Sequence, residues 1–243
     1  MAKNLKKRVA GLIALAFLSG PVLAAGSEGT WTAEIVPYLW AATIQGDTAA
    51  GDAESPVNPD YSLFTMENLS GAFMGAMRVS RGHWSWQLDT LHVDYQEDFD
   101  RQLIDTHIGV KGGFLEVAAG FRSNPDGNLE WLLGLRDVEF ATEVVIEPGF
   151  AGKVKKSWLD PFVGLRYRYP LSDTWALRLR ADVGGMNPSS RVALNGMVAL
   201  EYAFGARLQG LAGYRYLELD FKESDFLLDI SASGFALGLS LRY

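Results

Sequence analysis

His92 and Asp94 are the residues whose types and spacing best suit acid–base chemistry. They lie two positions apart, so in a β-strand both side chains share one face. A histidine beside a carboxylate can act as a general base. The surrounding alternation, however, turns this face away from the predicted interior, and the sequence has no HExxH, phosphate-binding glycine loop or nucleophile elbow. We therefore predict no catalytic residues and no enzyme, with a His/Asp rim site as the alternative.

Arginines and carboxylates occupy alternate positions in several other segments. Arg166 and Arg168 alternate with tyrosines, and Arg178, Arg180 and Asp182 alternate with apolar residues. If these segments close into a barrel, one face is enclosed, and an unpaired ion there is very costly. Arginine stays charged and can bind a carboxylate through two hydrogen bonds, so we predict a paired network in the lumen. Its predicted members are Asp89, Glu116, Asp160, Arg166, Arg168, Arg178, Arg180, Asp182, Glu201 and Arg215.

Acidic residues gather at the predicted outer ends of the strands, with Lys153, Lys155 and Lys156 among them. Carboxylates could bind calcium, and the lysines could contact lipopolysaccharide phosphates. The acidic spacing matches no calcium-binding loop, so we predict solvated loops, no metal and no cofactor. The acidic residues are Asp47, Asp52, Glu54, Asp60, Glu97, Asp98, Asp100, Asp220, Glu223, Asp225 and Asp229.

Composition excludes several classes of protein. The 243 residues suit one domain or two small ones, and a hydrophobic content of 48% excludes a disordered chain. Cysteine is absent, which excludes a disulfide scaffold, a cysteine-ligated zinc site and a thiol nucleophile. A net charge of −7 argues against a nucleic-acid partner.

Residues 1–24 read as a secretory signal peptide. Lysines and an arginine precede a short apolar run, and small residues stand before the predicted cleavage after Ala24. The run is shorter than the roughly 20 residues that a membrane-spanning helix needs. We therefore predict export, with residues 25–243 forming the mature domain.

The mature chain alternates apolar and polar residues with the period of a β-strand. We predict ten strands near 31–46, 69–80, 84–97, 105–122, 129–146, 156–170, 174–187, 192–204, 208–222 and 228–243. The links after the even-numbered strands are short, and most of the others are longer or more polar; the longest runs from Asp47 to Asn68. Outer-membrane barrels have short periplasmic turns, longer outer loops and an even number of strands.

The apolar faces of these strands are predicted to meet lipid. The final ten residues put Phe235, Leu237, Leu239, Leu241 and Tyr243 on one face and small or polar residues on the other. Aromatic residues gather near the predicted strand ends, as in the girdles of membrane barrels. The alternative is a soluble, lipocalin-like barrel with the apolar faces inside. The lipid-facing arrangement predicts an all-β, closed antiparallel transmembrane barrel of ten strands, or eight.

The terminal strand, residues 234–243, resembles the C-terminal assembly signal of bacterial outer-membrane barrels, although that signal normally ends in phenylalanine. The segments 37–40, 160–169 and 213–216 resemble small barrels of the OmpA/OmpW-like superfamily. The resemblance implies insertion by the barrel assembly machinery and contact with outer-membrane lipid and lipopolysaccharide. The predicted function is a non-enzymatic envelope protein of Gram-negative bacteria, structural or with narrow solute passage through a filled lumen. A porin-like channel for small solutes is a further alternative.

Overall fold

The computed structural model describes residues 29–50, 53–62, 69–101, 104–147, 150–185, 190–223 and 226–243. The predicted signal peptide and its cleavage site lie outside these residues. Within the described ranges the regular elements are β-strands. No helix in this part of the chain is long and apolar enough to cross a membrane.

The described residues form eleven strands: β1 (Thr32–Ala50), β2 (Ala53–Ser62), β3 (Leu69–Arg81), β4 (Trp84–Arg101), β5 (Ile104–Phe121), β6 (Leu129–Glu147), β7 (Phe150–Pro170), β8 (Trp175–Gly185), β9 (Ser190–Ala203), β10 (Leu208–Glu223) and β11 (Phe226–Arg242). Ten of them, all except β2, form a closed antiparallel wall, as predicted. Each of the ten pairs with its neighbours in the wall, and β1 pairs with β11 from Glu34 to Ala50, which closes the barrel.

The additional strand β2 corrects the prediction of a long loop from Asp47 to Asn68. It pairs with the outer part of β1, from Thr43 to Ala50, whereas β3 pairs with β1 from Thr32 to Pro37. Pro56 and Pro59 made the segment resemble a loop. Proline lacks a backbone donor but is tolerated in an edge strand, where one side of the backbone needs no partner.

The two ends of the barrel differ in the way the predicted hairpins implied. At one end, which also holds both Trp31 and Tyr243, the links are residues 82–83, 122–128, 171–174 and 204–207. Gly82 has a φ of 54°, which a tight turn uses and which glycine adopts without strain. At the other end the strands continue into the regions predicted as loops, and β7 reaches 21 residues. Because about 9–11 residues cross a bilayer, the wall projects well beyond it on that side.

The outward faces near the short turns are apolar, which confirms the predicted orientation. Phe235, Leu237 and Leu239 of β11 are all more than half exposed on the outside, while Arg166 and Arg178 lie on the inner face. Aromatic rings meet around this end: the rings of Trp175 and Tyr202 lie 4.8 Å apart, as parts of the predicted girdle. The soluble alternative, with these leucines inside, is therefore wrong.

The pattern of the faces inverts along the barrel axis. On β6 the outward residues run from Leu133 and Leu135 to Asp137 and Glu139, while the inward residues change from Arg136 to Val138 and Phe140. The same inversion occurs on β7, β10 and β11. Charged residues cannot face hydrocarbon cheaply, so the outer edge of the lipid-facing band lies near Asp137. Beyond it, the barrel is polar outside and apolar inside, like a soluble protein.

This boundary predicts a depth-dependent cost on one strand. Leu133 lies midway between Leu129, the first residue of β6, and Asp137. We expect Leu133→Arg to lower the free energy of unfolding by about 2–4 kcal/mol because it places a charge near the bilayer midplane, and Leu129→Arg by about 0–1 kcal/mol. Urea unfolding in phospholipid vesicles measures both. Equal costs would contradict the placement of the lipid-facing band.

Candidate functional site

The ten residues predicted to line the lumen all lie on the inner face. Their partners come from strands across the lumen as well as from neighbouring strands. Six charged residues, here called the central ring, form the deepest part of this network, and further clusters lie between the ring and the short turns. The central ring consists of Asp89, Glu116, Arg136, Arg180, Asp182 and Arg215.

Arg136 is the centre of the ring and is fully buried. It donates through Nε and Nη2 to one oxygen of Glu116, at 3.2 and 2.9 Å, and through Nη2 to Asp182 at 2.6 Å. The ring of Phe162 lies 5.0 Å from its guanidinium carbon. An enclosed arginine therefore has two carboxylates and an aromatic face around it, which together offset the loss of water.

Arg180 and Arg215 complete the ring. Arg180 donates to Glu116 and, through Nε at 2.9 Å, to Asp182. Arg215 lies 3.3 Å from Asp89 and donates to Asn195 Oδ1 at 3.1 Å. Three arginines face three carboxylates, so the ring is electrically balanced. Asp160, another predicted member of the network, lies opposite Arg136 in the β6–β7 register and accepts a hydrogen bond from Trp158 Nε1 at 2.9 Å.

A second cluster surrounds Glu201 near the short turns. Arg168 Nη2 donates to Glu201 Oε1 at 2.7 Å, and Arg242 Nη2 donates to Oε2 at 2.9 Å. Arg178 donates to Glu201 and, at 2.5 Å, to Glu34 on the opposite side of the lumen. These contacts cross-brace the wall and include three of the predicted residues, Arg168, Arg178 and Glu201.

A third cluster, here called the Glu130 cluster, contains Arg78, Gln87, Arg122, Glu130 and Arg166. Arg78 and Arg166 both donate to Glu130, at 2.9 and 3.3 Å. Arg166 also donates to Gln87 Oε1. Burial and the nearby Arg78 lower the pKa of the Arg122 guanidinium, in the turn after β5, below its usual value. Several cations therefore crowd around one carboxylate.

Several network residues were missed by the sequence reasoning. Arg136 and Glu130 lie on β6, where Trp131, Leu133 and Leu135 alternate with them and face outward. The same alternation that located Arg166 could have placed both inside. Arg78 and Gln87 carry the same signal, because apolar residues flank each of them. Further missed residues of the network include Glu34, Tyr38, Arg122, Asn195 and Arg242.

An apolar cluster fills the lumen above the central ring, that is, on the side away from the short turns. The sequence predicted an ionic interior and did not include this cluster. The rings of Trp158 and Phe221 stack with centroids 4.2 Å apart, and Leu228 is completely buried among them. Above the lipid-facing band the exterior is polar, so the apolar side chains gain more by packing inward. Further members are Trp40, Met74, Leu91, Val93, Phe114, Val138, Leu217, Leu219 and Phe226.

The outer rim gives little support to acid–base chemistry at His92. This side chain is exposed on the exterior, as predicted, and the neighbouring Asp94 accepts a hydrogen bond from Lys111 at 2.5 Å. Among the acidic residues predicted for the outer ends, Glu223 pairs with Lys156 at 3.1 Å. The side chains of Asp47, Glu54, Asp60, Glu97, Asp98, Asp100 and Lys153 lie outside the described residues, as do Asp52 and Asp225 entirely. No group of metal-ligating side chains occurs in the described part.

Comparison with known proteins shows the fold. No protein-family model matches the chain, and no curated protein matches it in sequence. The outer-membrane protease OmpT from Escherichia coli is similar over 91% of this chain and 99% of its own, with a TM-score of 0.54 and 8% identity. The translocator domain of NalP from Neisseria meningitidis covers 100% of this chain and 98% of its own (TM-score 0.41, 15% identity), and Ail from Yersinia pestis covers 89% and 99% (TM-score 0.40, 11% identity).

The closed ten-stranded wall, the apolar exterior band and the fold shared with OmpT define an outer-membrane β-barrel. The lipid-facing band places the barrel in the bacterial outer membrane, as predicted. At 8% identity, the likeness to OmpT concerns the fold and not the activity of that protease.

The buried ring predicts a large cost for losing one partner. We expect Arg136→Met to lower the free energy of unfolding by about 3–5 kcal/mol, because Glu116 and Asp182 lose a shared counter-ion. Lys156→Met, which removes a pair that is partly open to solvent, is the matched control and is expected to cost at most about 1 kcal/mol.

A double variant, Arg136→Met with Glu116→Gln, separates pairing from packing. The two changes should cost clearly less together than the sum of the single costs, since each removes the other's stranded partner. Denaturant unfolding in detergent micelles measures all three. Strict additivity would contradict the ring.

Proposed function

We propose that the protein is a non-enzymatic barrel that spans the outer membrane as a closed body, with a structural role in the envelope. The observation that carries the proposal is a lumen filled at two successive levels. The central ring closes the membrane-embedded part, and the apolar cluster closes the part that projects beyond it. A solute would have to displace paired ions and then packed aromatic rings.

The size of the barrel favours this filled interior. Eight-stranded barrels have an interior just wide enough for side chains, and ten strands widen it only slightly. Arg136, Glu116 and Asp182 meet in the middle of that space, from three different strands. Long arginine side chains therefore reach across the lumen, which leaves no need for a water-filled path to solvate them.

The porin-like alternative and the narrow-passage reading both require the ring to open. An open pore needs water at every level, whereas Phe221, Phe226 and Leu228 are buried against one another at the outer level. Because these side chains come from the β10–β11 hairpin and meet Trp158 of β7, opening would separate packed strands. A structural role for a barrel with a closed lumen is therefore the function that the geometry supports best.

The enzyme alternative rests on His92 and Asp94, and their surroundings do not favour it. Asp94 already pairs with Lys111, and His92 and Asp94 both lie on the exterior surface. A general base acts within hydrogen-bonding reach of a held substrate. A His92→Ala variant that changes hydrolysis of peptides or modification of lipid A by the purified barrel would revive the enzyme alternative.

We further propose that the terminal strand is read by the barrel assembly machinery. Phe235, Leu237, Leu239, Leu241 and Tyr243 all lie on the outer face, where a partner could contact them. A Tyr243→Ala variant should insert more slowly in cells while refolding at an unchanged rate in detergent. Unchanged insertion in cells would argue against this role.

Conductance tests the closed lumen directly. The wild-type barrel in planar bilayers should show no steady open state. A triple variant, Arg180→Ala, Glu116→Ala and Trp158→Ala, should conduct. Water then replaces an ion pair of the central ring and an aromatic side chain of the apolar cluster. Leu133→Ala on the outer face is the matched control and should stay closed.

A steady ohmic conductance of the wild-type protein would overturn the closed-body proposal. Each preparation is first shown to be folded by its shift on an unheated gel, so that a defective barrel is not mistaken for an open one.

A further inference from the structure

A cavity of about 130 Å³ lies between the central ring and the clusters near the short turns. A buried water needs about 10–15 Å³ of such space, so the cavity could hold on the order of ten waters or a small ion with part of its shell. The described residues that line it include five arginines and two carboxylates, Glu34 and Asp89. The arginines are Arg78, Arg166, Arg178, Arg180 and Arg215.

The excess of positive charge is largest in the Glu130 cluster. In the central ring three arginines meet three carboxylates, so Arg180 and Arg215 are already balanced. Arg78 and Arg166, by contrast, share the single carboxylate of Glu130. Arg122 lies near enough to sense both Arg78 and Glu130. Two guanidinium groups with one carboxylate between them, and a third close by, attract a further anion.

Hydrogen bonding in this cluster shows the same imbalance. Three buried nitrogens have no acceptor among the described atoms: Arg78 Nε, Gln87 Nε2 and Arg122 Nε. Gln87 is 7% exposed and lines the cavity, and its Oε1 is occupied by Arg166, which leaves the amide nitrogen as a donor without a partner. Buried polar groups normally have a hydrogen-bond partner. All three unpaired atoms in this cluster are donors, which indicates a missing acceptor.

We expect a solute to enter the cavity from the end with the short turns. The side chains of Arg166 and Arg168 are 26% and 42% exposed there, whereas Arg136 of the ring is fully buried. The barrel wall separates the cavity from lipid, and the ring and apolar cluster separate it from the outside. A ligand must therefore be soluble, small and supplied from the periplasmic side.

We propose that this cavity binds a small soluble oxyanion, such as phosphate, against Arg78, Arg166 and Gln87. An oxyanion in the cavity lies beside Arg78 and Gln87, the two lining residues of this cluster that have an unpaired donor, and brings the negative charge that Glu130 alone does not provide. The planar guanidinium group of arginine can donate two parallel hydrogen bonds to two oxygens of such an anion. This site is independent of whether the barrel conducts, so the two proposals can fail separately.

Titration calorimetry with inorganic phosphate in an uncharged detergent tests the site. We expect the folded wild-type barrel to bind with a dissociation constant in the millimolar range or tighter. Arg166→Gln should weaken binding by about tenfold or more, the worth of a lost charge-assisted hydrogen bond. Arg168→Gln is the matched control, because it removes the same charge two residues away on β7. Arg168 pairs with Glu201 and is not among the residues that line the cavity, so phosphate affinity should be nearly unchanged.

Glu130→Gln gives the sharper readout. Glu130 competes with phosphate for Arg78 and Arg166, so its replacement by glutamine should tighten phosphate binding several-fold. If Glu130 only held the site in shape, the same substitution would weaken binding. Dodecyl phosphate held in the micelle should not compete, because its phosphate stays outside the wall.

Three results would each overturn the proposal: no phosphate binding by the folded wild-type barrel, equal losses in Arg166→Gln and Arg168→Gln, or weaker binding in Glu130→Gln. Competition by dodecyl phosphate would overturn the assignment of a soluble ligand. A shift on an unheated gel confirms that each variant is folded before titration.

Discussion

The structure depends on keeping charge away from the acyl chains while pairing it inside. A transmembrane strand has two faces, and the outer one must be apolar because lipid offers no hydrogen-bond partners. The inner face then holds the charges, and in a narrow barrel they are cut off from bulk water. Arg136, completely buried yet bonded to Glu116 and Asp182, shows how this is resolved: each ion is placed against ions from other strands. Pairing therefore stabilises both the individual charge and the closure of the wall.

The same logic explains the inversion above the membrane. Once lipid no longer surrounds the wall, outward residues such as Asp137 and Glu139 can be solvated, and apolar residues gain by turning inward. Trp158 and Phe221 stack where the ionic network ends. The barrel thus combines two kinds of interior in one continuous sheet, ionic at membrane depth and apolar beyond it. The cavity with excess arginine lies on the other side of the ring, toward the short turns.

The wall and its orientation could be predicted from the sequence because they depend on alternation, which is local. Leu237 and Leu239 alternate with small residues, so one face was assigned to lipid and the structure agrees. The partners in the lumen could not be predicted in this way. Arg178 meets Glu34, 144 residues earlier, because closure brings β8 opposite β1. Nor does the period of two reveal the depth at which the pattern inverts, so the apolar cluster was missed. β2 was missed because prolines masked an edge strand.

The central claim is that leucine-bearing faces meet acyl chains while guanidinium-bearing faces are enclosed. The chain contains no cysteine, so single cysteines can be introduced one at a time along β7 and labelled with a fluorophore. In vesicles with brominated acyl chains, labels at Val163→Cys and Leu165→Cys should be strongly quenched, and labels at the partly open inward positions, Arg166→Cys and Arg168→Cys, should not. Quenching of the even positions, or the absence of alternation, would contradict the account.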